Sequence, residues 1–596
     1  MMFDTTLACM ALKPSKVLPR TLMAIAAFMA SSNAFALPCD FKNGDVFSDI
    51  CAYFEVGTAT IGGQLKAHVS TTSPDFKVSI RRAGSTDVLS EQSFSSGKQY
   101  ITGTTNYNGL NWGSAYNINI PSNWNSGIYQ LVFQNASGFY SEYVAVRASS
   151  PGSHSKILVL DSLPTKIAYS PIGGKSMYGF NSTNGQGAVE VSMERPTGRG
   201  QWTEHRMFAT WLDAKGIAYE AASMIDIHRD PNLLKNYDLV IQVGHNEYWS
   251  KEMRDAWDSY LASGGNGAIF SGNTMWWQVR FSADYKNMVC YKNADADRAA
   301  NPGISDDRLT VNWYNTPLNK PENLSTGVSF RNAGYHDYTE NGVPYYVKGG
   351  VGDDGTNGGF KVTDASHWAF AGTGLSNGSV FGRDSTIAGY EVDGALFRME
   401  GTTPVVTGED GTPTNFQILA ITPAYAVNSP SGVPGIVSNN YNGQGWGTVG
   451  VFKPSNNSGT VFVGPSIDWA EGLEDPQVSR ITENVINHLK NRSNSSSSNT
   501  GSSSGSTTTG SSSNTGSSSG STTTGSSSNT GSTTTGSSSS TGSTTTGSSS
   551  STGSTTTPTD TSSNTTQSSG GGGGSIPLPA LLLGLLTLIG LKVRKP

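Results

Sequence analysis

Three short, mainly apolar runs without polar alternation place the strongest constraint on this sequence. They span residues 156–160, 239–243 and 268–271, and the stretches 205–215 and 257–262 between them space apolar residues at a helical period. A strand without alternation is buried on both faces, and helices between strands are the connections that a parallel sheet requires. The sequence therefore predicts an α/β domain built on a parallel sheet.

Polar residues follow two of these runs at the point where each predicted strand ends. Ligands of open parallel sheets bind beyond the carboxyl ends of the strands. His245 and Glu247 leave one strand end two residues apart, so both can project into one crevice, and Asn273 leaves the next strand end. We interpret these three as candidate functional residues. The alternative for the histidine is a hydrogen bond to a loop, which is the commoner role at a strand end.

A glycine-rich loop, residues 168–178, follows the first predicted strand and is expected near the same sheet edge. It contains Tyr169 and Tyr178 on either side of Gly173 and Gly174. Aromatic packing is the alternative role for these tyrosines. The run 237–273 resembles the segment of class I glutamine amidotransferase-like folds that leads to a nucleophile elbow, but no cysteine stands there, which disfavours a Cys–His hydrolase mechanism.

The flanking segments predict further folded structure. Residues 52–148 read as short alternating strands, the first of them at residues 54–56, without a helical period. This pattern is typical of an Ig-like antiparallel β-sandwich, and we assign residues 37–150 to this domain. We assign residues 151–491 to the α/β domain. After Asn301 it becomes glycine-rich and β-like, and it closes with a helix over 476–489. The sandwich is expected to pack or bind rather than catalyse.

The two ends of the chain predict export. Residues 1–36 carry basic residues, an apolar run and the small-x-small motif Ala34–Phe35–Ala36, the order of a signal peptide, with a buried N-terminal helix as the alternative. Residues 492–574 are almost only Ser, Thr, Gly and Asn and predict a disordered linker. Residues 575–596 are a short apolar segment with a basic end and resemble a GlyGly-CTERM sorting tail, processed by a rhomboid-type protease. A plain membrane anchor is the alternative.

The net charge indicates which partners to expect, and the cysteines indicate where a disulfide can form. The formal net charge is -6 and the folded region holds no basic cluster, so we expect no nucleic-acid partner. Cys39 and Cys51 lie twelve residues apart in a chain predicted to be exported, which favours a local disulfide. Cys290 is interpreted as a small buried side chain.

Several uncommon strings together resemble the family of the N,N-dimethylformamidase large (β) subunit, in its C-terminal domain form, over about residues 155–490. In chain order these strings are AYSPIGGKSMY, SMERP, YDLVIQVGHNEYWSKEMRDAWDSYLASGG, SGNTMWW, HWAFAGTG, GYEVDG and GTVFVGPSIDWAEGLEDPQVSRITENVINHL. The resemblance implies a mononuclear Fe(III) ion bound by two tyrosines and one glutamate, with a histidine and an asparagine nearby. It assigns Tyr169, Tyr178 and Glu247 as metal ligands and His245 and Asn273 as catalytic residues.

Two details of the resemblance stay open on the sequence. Ser170 stands where relatives often carry asparagine, which affects the fine geometry of the tyrosine loop. Glu391 and Asp393, in the string GYEVDG, either reach the site or cap a turn.

The predicted function is that of an exported metal-dependent hydrolase acting on the C–N bond of an amide. A ferric ion is a hard Lewis acid suited to phenolate and carboxylate ligands. The unperturbed pKa of a histidine lies close to neutral, which suits His245 to acid–base catalysis. The substrate is expected to be an amide-containing small molecule or an extracellular polymer, because small formamides are handled by a cytoplasmic enzyme with a small subunit that this sequence does not encode. The alternatives are a non-catalytic glycan- or surface-binding envelope protein on the same scaffold and a structural surface-layer protein.

Overall fold

A computed structural model describes most of the chain between the predicted leader and the predicted linker. The described residues are 39, 41–42, 45–46, 49–57, 59–95, 107–113, 115–198, 201–335, 339–340, 343–344, 358–425 and 444–492. The predicted leader, the linker beyond residue 492 and the hydrophobic tail lie outside them. Among the helices of the described residues, none is both long and apolar enough to cross a membrane.

Two antiparallel sheets form the N-terminal part, after a short ribbon of β1 (Phe41–Lys42) and β2 (Asp45–Val46). Their strands are β3 (Ile50–Phe54), β4 (Gln64–Thr71), β5 (Asp75–Arg82), β6 (Ser90–Ser95), β7 (Tyr116–Asn119), β8 (Gly127–Gln134) and β9 (Phe139–Val146). One sheet has the order β3–β4–β7 and the other β6–β5–β8–β9. Alternate side chains point into one shared apolar cluster, as Leu65 and Val78 do.

The first of these strands differs from its prediction. The sequence placed it at residues 54–56, whereas β3 ends at Phe54. Val56 and Gly57 form a turn in which Gly57 has a φ of 72°, so the strand cannot continue there. Cys51 on β3 forms the predicted disulfide with Cys39, at a Cα–Cα distance of 5.5 Å.

A mixed sheet of eleven strands forms the centre of the molecule. Its strands are β10 (Ile157–Asp161), β12 (Glu220–Ser223), β13 (Leu239–His245), β15 (Asn266–Gly272), β18 (Ser329–Tyr335), β21 (Phe360–Val362), β22 (Val380–Phe381), β23 (Glu391–Gly394), β26 (Gln417–Tyr425), β27 (Gln444–Phe452) and β28 (Val461–Gly464). The order β12–β10–β13–β15–β28 is parallel throughout, as the apolar runs predicted. From β28 the sheet continues through β27, β26, β18 and β23 with antiparallel pairing.

Helices cover both faces of the parallel half, which explains its apolar runs. The α-helices of the described residues are α1 (Leu163–Tyr169), α2 (Thr203–Ala214), α3 (Met224–Arg229), α4 (Lys251–Ala262), α5 (Ala294–Ala300), α6 (Asn323–Thr326) and α7 (Pro476–Leu489), of which α2, α3, α4 and α7 cover this sheet. Val159 on β10 packs in one cluster with α2 and α7, whereas its neighbour Leu158 packs in a second cluster with α3 and α4. Successive side chains of a strand point to opposite faces, so both positions must be apolar.

A smaller sheet lies beside the carboxyl edge of the large one. It has the order β11–β17–β16–β14 and contains β11 (Glu190–Ser192), β14 (Tyr248–Ser250), β16 (Trp277–Phe281) and β17 (Asn287–Val289). Two-stranded ribbons complete the described strands, namely β19 (Thr339–Glu340) with β20 (Val343–Pro344) and β24 (Phe397–Glu400) with β25 (Thr403–Val406). The small sheet shares a buried cluster with Tyr169, Tyr178 and the unpaired Cys290, which is buried as predicted.

The N-terminal sheets pack directly against the α/β part. Ala83, Ile128 and Ala145 belong to the same apolar cluster as α2. At the margin of this contact, the Arg82 guanidinium donates two hydrogen bonds to the Asp213 carboxylate, at 2.9 and 3.1 Å. The fold is therefore mixed α/β with several antiparallel sheets, and the finer resemblance to an amidotransferase stays a prediction.

Candidate functional site

The candidate residues follow strands of the central sheet at the place where the chain connections run to opposite sides of β10. From β10 the chain crosses to β12 on one side and then returns to β13 on the other, so the loops after β10 and β13 border one crevice. The tyrosine loop follows β10 through α1, and His245 is the last residue of β13. His245 pairs in register with Gly272 of β15, so Asn273 lies one residue beyond that pair.

Three oxygen-bearing side chains meet in this crevice. The Tyr169 hydroxyl donates to Glu247 Oε2 at 2.8 Å, and the Tyr178 hydroxyl lies 2.5 Å from Glu247 Oε1. The two hydroxyl oxygens are 3.2 Å apart. All three residues are buried, with Glu247 only 1% exposed. The structure thus brings together the three side chains that the resemblance assigned to a metal.

Backbone contacts on two sides fix Glu247. Its N–H donates to Thr165 Oγ1 of α1 at 2.9 Å, and its carbonyl accepts from the N–H of Trp276 at 2.9 Å. Gly244 has a φ of 69°, a left-handed conformation that redirects the chain before His245 and Glu247. These backbone contacts fix the position of Glu247, and they thereby limit where its carboxylate can lie.

The segment carrying the tyrosines is partly helical, which corrects the sequence interpretation. Residues 168–178 were predicted as a loop, but Tyr169 is the last residue of α1, which begins with Pro164 in its first turn. Tyr178 follows a turn in which Gly173 and Gly174 have φ values of 87° and 95°. The N–H of Met177 donates to the carbonyl of Ala168 at 2.8 Å and closes the segment, which brings the two phenols together.

His245 lies between two carboxylates. Its Nε2 is 3.0 Å from Glu391 Oε2 and 3.4 Å from Glu247 Oε2. Burial alone would lower the pKa of His245, but the charges of Glu391 and Glu247 outweigh it and raise the pKa to about 9. Glu391 therefore reaches the site, which settles the question that the string GYEVDG left open.

Asp393, two residues along the same strand, has a different role. Its carboxylate accepts from the N–H groups of Asn273 and Thr274, at 2.8 and 3.1 Å. Asn273 has a φ of 48°, so Asp393 stabilises a left-handed turn at the end of β15. The side-chain oxygen of Asn273 is buried and makes no hydrogen bond to any described residue, which leaves it able to accept one from a ligand.

Burial keeps the phenols of the site neutral. It raises the pKa of Tyr169 and of Tyr178 well above 10, and the neighbouring Glu247 charge adds to the effect. Lys292, which sequence reasoning missed, places its Nζ 3.3 Å from the centre of the Tyr178 ring. Burial lowers the pKa of Lys292 to about 8. The lysine follows β17 of the small sheet, and no motif around it indicated that this sheet borders the site.

A second group of carboxylates was also missed. Glu204, Asp468 and Glu471 place one carboxylate oxygen each within 4.8 Å of one another. Glu204 packs against Gly244, where an added Cβ would lie 2.9 Å from the Glu204 Cβ. These residues come from α2 and from the segment after β28, which are far apart in the sequence. Their proximity could not be derived without the sheet order.

Comparisons with known proteins identify the family of this chain. A family model described as N,N-dimethylformamidase beta subunit-like, C-terminal, matches residues 80–485. The N,N-dimethylformamidase beta subunit of Paracoccus aminophilus is 37% identical over 70 residues, which cover 12% of this chain and 9% of that protein. A protein of the same description from an Alcaligenes species matches over 70 residues with the same identity and coverage, so each alignment spans only a small part of the relative. Because the family match covers most of its length, the chain belongs to the N,N-dimethylformamidase beta subunit-like, C-terminal family.

Proposed function

We propose that this protein is an amide hydrolase that cleaves a C–N bond with one ferric ion held by Tyr169, Tyr178 and Glu247. The cluster of three oxygen donors carries the proposal, because each Glu247 oxygen faces one phenol at 2.8 or 2.5 Å. Phenolate and carboxylate oxygens suit a hard trivalent cation. Burial favours neutral phenols here, and a trivalent charge at the same oxygens would reverse that preference.

The chain's own residues supply the proton transfer. When bound, the ion would polarise the substrate carbonyl as a Lewis acid. His245, whose pKa is raised to about 9 by the charges of Glu391 and Glu247 against the opposing effect of burial, would carry a proton at neutral pH and exchange it with the attacking water or the leaving amine. The Glu391 carboxylate, 3.0 Å from Nε2, stabilises the protonated form of the imidazole through its charge. The buried side-chain oxygen of Asn273, unpartnered among the described residues, can accept a hydrogen bond from the substrate and so orient it, whereas stabilising the tetrahedral oxyanion would need its NH2 group to donate.

We further propose that the enzyme acts outside the cytoplasm on an amide-containing small molecule or an extracellular polymer. The leader-like segment 1–36 and the Cys39–Cys51 disulfide support export, because disulfides persist in oxidising compartments. The tail at 575–596 would be processed by a rhomboid-type sorting protease. The two N-terminal sheets are proposed to be an Ig-like sandwich, and the parallel half of the large sheet an amidotransferase-like core.

Metal analysis of three purified proteins tests the proposal. The wild type, purified without added metal and reconstituted with ferric iron if needed, is expected to hold about one iron per chain and to show a tyrosinate-to-iron band in visible light. Glu247→Gln should lose both the iron and the band. Glu391→Gln is the matched control, since it should keep both but lose hydrolysis of amides. A wild type that takes no iron, or a Glu247→Gln protein that keeps the band, would contradict the proposed site.

A further inference from the structure

We propose that Arg195 is a positioning residue of this site, whose guanidinium holds the two ends of the tyrosine-bearing segment in the geometry that ferric iron requires. The inference rests on the proposed function, because it concerns the same three ligands. Arg195 lies in the string SMERP and touches none of the three ligand side chains in its hydrogen bonds. Its effect would therefore pass through the backbone.

The guanidinium binds three carbonyl groups around the tyrosines. It donates to the carbonyl of Ile167 at 2.7 Å, to that of Ile172 at 3.0 Å and to that of Lys175 at 2.8 Å. Ile167 lies two residues before Tyr169, and Lys175 lies three residues before Tyr178. One planar cation thus connects the last turn of α1 to both sides of the Gly173–Gly174 turn.

Arg195 is buried, and its hydrogen bonds to these three carbonyl groups are the main contacts that offset the loss of hydration of its guanidinium. The residue is 2% exposed, and no carboxylate of the described residues forms an ion pair with it. Burial lowers its pKa to about 9, so the charged form is maintained at neutral pH against a desolvation cost. Hydrogen bonds from a charged donor are roughly twice as strong as neutral ones. Arg195 therefore stabilises the relative positions of these three carbonyl groups.

The tyrosine segment needs such a contact. Gly173 and Gly174 give its turn unusual conformational freedom, and two phenol oxygens must stay within a few tenths of an ångström of a metal-binding arrangement. Residues 192–197, which include Arg195, form a strap that contacts this segment. Within this strap the carbonyl of Pro196 accepts from Ser170 Oγ at 2.7 Å. The strap thus contacts the segment through a second, neighbouring residue.

The experiment compares Arg195→Met and Arg195→Lys with Arg254→Met. Arg254 is the matched control, because it is 0% exposed and also donates to two backbone carbonyls, those of Lys320 and Pro321. Hydrogen–deuterium exchange of residues 163–182 is measured on the metal-free proteins by mass spectrometry. Ferric-ion affinity is then measured by competition with a chelator, together with the position of the visible band.

We expect faster amide exchange within residues 170–178 in Arg195→Met, with no such change in Arg254→Met. Ferric affinity should fall about 10- to 100-fold in Arg195→Met and less in Arg195→Lys, with a shifted band. Unchanged exchange and affinity in both Arg195 variants would overturn the inference, as would equal changes in Arg254→Met. A wild type without iron affinity would defeat the proposed function instead. The exchange measurement would then still decide whether Arg195 holds the segment.

Discussion

Gly272 stands at the carboxyl end of β15, where the chain leaves no room for a side chain. A Cβ added there would lie 2.5 Å from the carbonyl oxygen of Glu391 and 2.7 Å from the nitrogen of Ile467. We expect Gly272→Ala to push the backbone of Glu391 away, at a stability cost of about 1–3 kcal/mol. The pKa of His245 in the metal-free protein should then fall from about 9 toward its ordinary value, which an NMR titration measures.

Gly264→Ala is a suitable control for that substitution. Gly264 has a φ of 87° but no atom within 4 Å of an added Cβ, so the variant adds backbone strain without a clash. It should lose stability while the pKa of His245 stays high. A Gly272→Ala protein with an unchanged histidine titration would show that the close approach does not position Glu391.

The carboxylate group around Glu204 makes a prediction about pH. Burial raises the pKa of Glu204 from 4.5 to about 7, so the folded protein holds this proton more tightly than the unfolded chain does. The free energy of unfolding must therefore fall as the pH rises through that range. Glu204→Gln removes the penalty and should raise stability by up to about 3 kcal/mol at pH 8, with little change at pH 4. Urea denaturation in EDTA measures both values, and an equal effect at the two pH values would contradict the explanation.

At the scale of residues, the sequence indicates where candidate side chains lie only if strand ends can be located. His245, Glu247 and Asn273 follow continuous apolar runs, and the carboxyl-edge rule then brings them to one crevice without further information. The sequence left the role of Glu391 open and missed Lys292, because Glu391 lies on an antiparallel strand and Lys292 follows one. Their pairing depends on register and on a smaller sheet that alternation alone does not define.

At the scale of elements, the strap 192–197 links the N-terminal sheets to the site. Glu142 on β9 accepts from the N–H of Thr197 at 3.1 Å and from its hydroxyl at 3.0 Å. We expect Glu142→Gln to cost about 1–3 kcal/mol, because its amide group would face an N–H donor, and to weaken ferric affinity. Thermal denaturation and chelator competition measure the two effects. Glu91→Gln, at an exposed ion pair on β6, is the control that should change neither.

The helix α1 shows why the boundaries of some elements could not be predicted from the sequence. It has seven residues, too few to display a helical period, and the neighbouring glycines favoured a loop. Pro164 in its first turn was the available start signal. By contrast, α7 was predicted at its observed bounds, because fourteen residues with a strong apolar stripe leave little ambiguity.

For the whole molecule, the shared core predicts that the two parts fold together. Ala83, Ile128 and Ala145 of the N-terminal sheets pack in the cluster that contains α2 and α7. The family match likewise begins at residue 80, inside β5. We expect residues 37–492 to unfold in one calorimetric transition and residues 151–492 alone to be poorly soluble, since their apolar contact face would be exposed. A soluble fragment with a cooperative transition of its own would contradict this.

The reversal of strand direction at β28 sets an order of assembly. Tyr169, Tyr178 and Glu247 all precede residue 250, but Glu391 belongs to β23, whose antiparallel block joins the parallel strands through β28. Because β23 joins the sheet through this block, we expect the carboxylate partner of His245 to reach its place only after the chain has folded as far as residue 464. A chain stopped short of β28 would retain every proposed ligand yet lack its proton-handling pair. Activity would therefore require the completed fold and not only the residues that bind the metal.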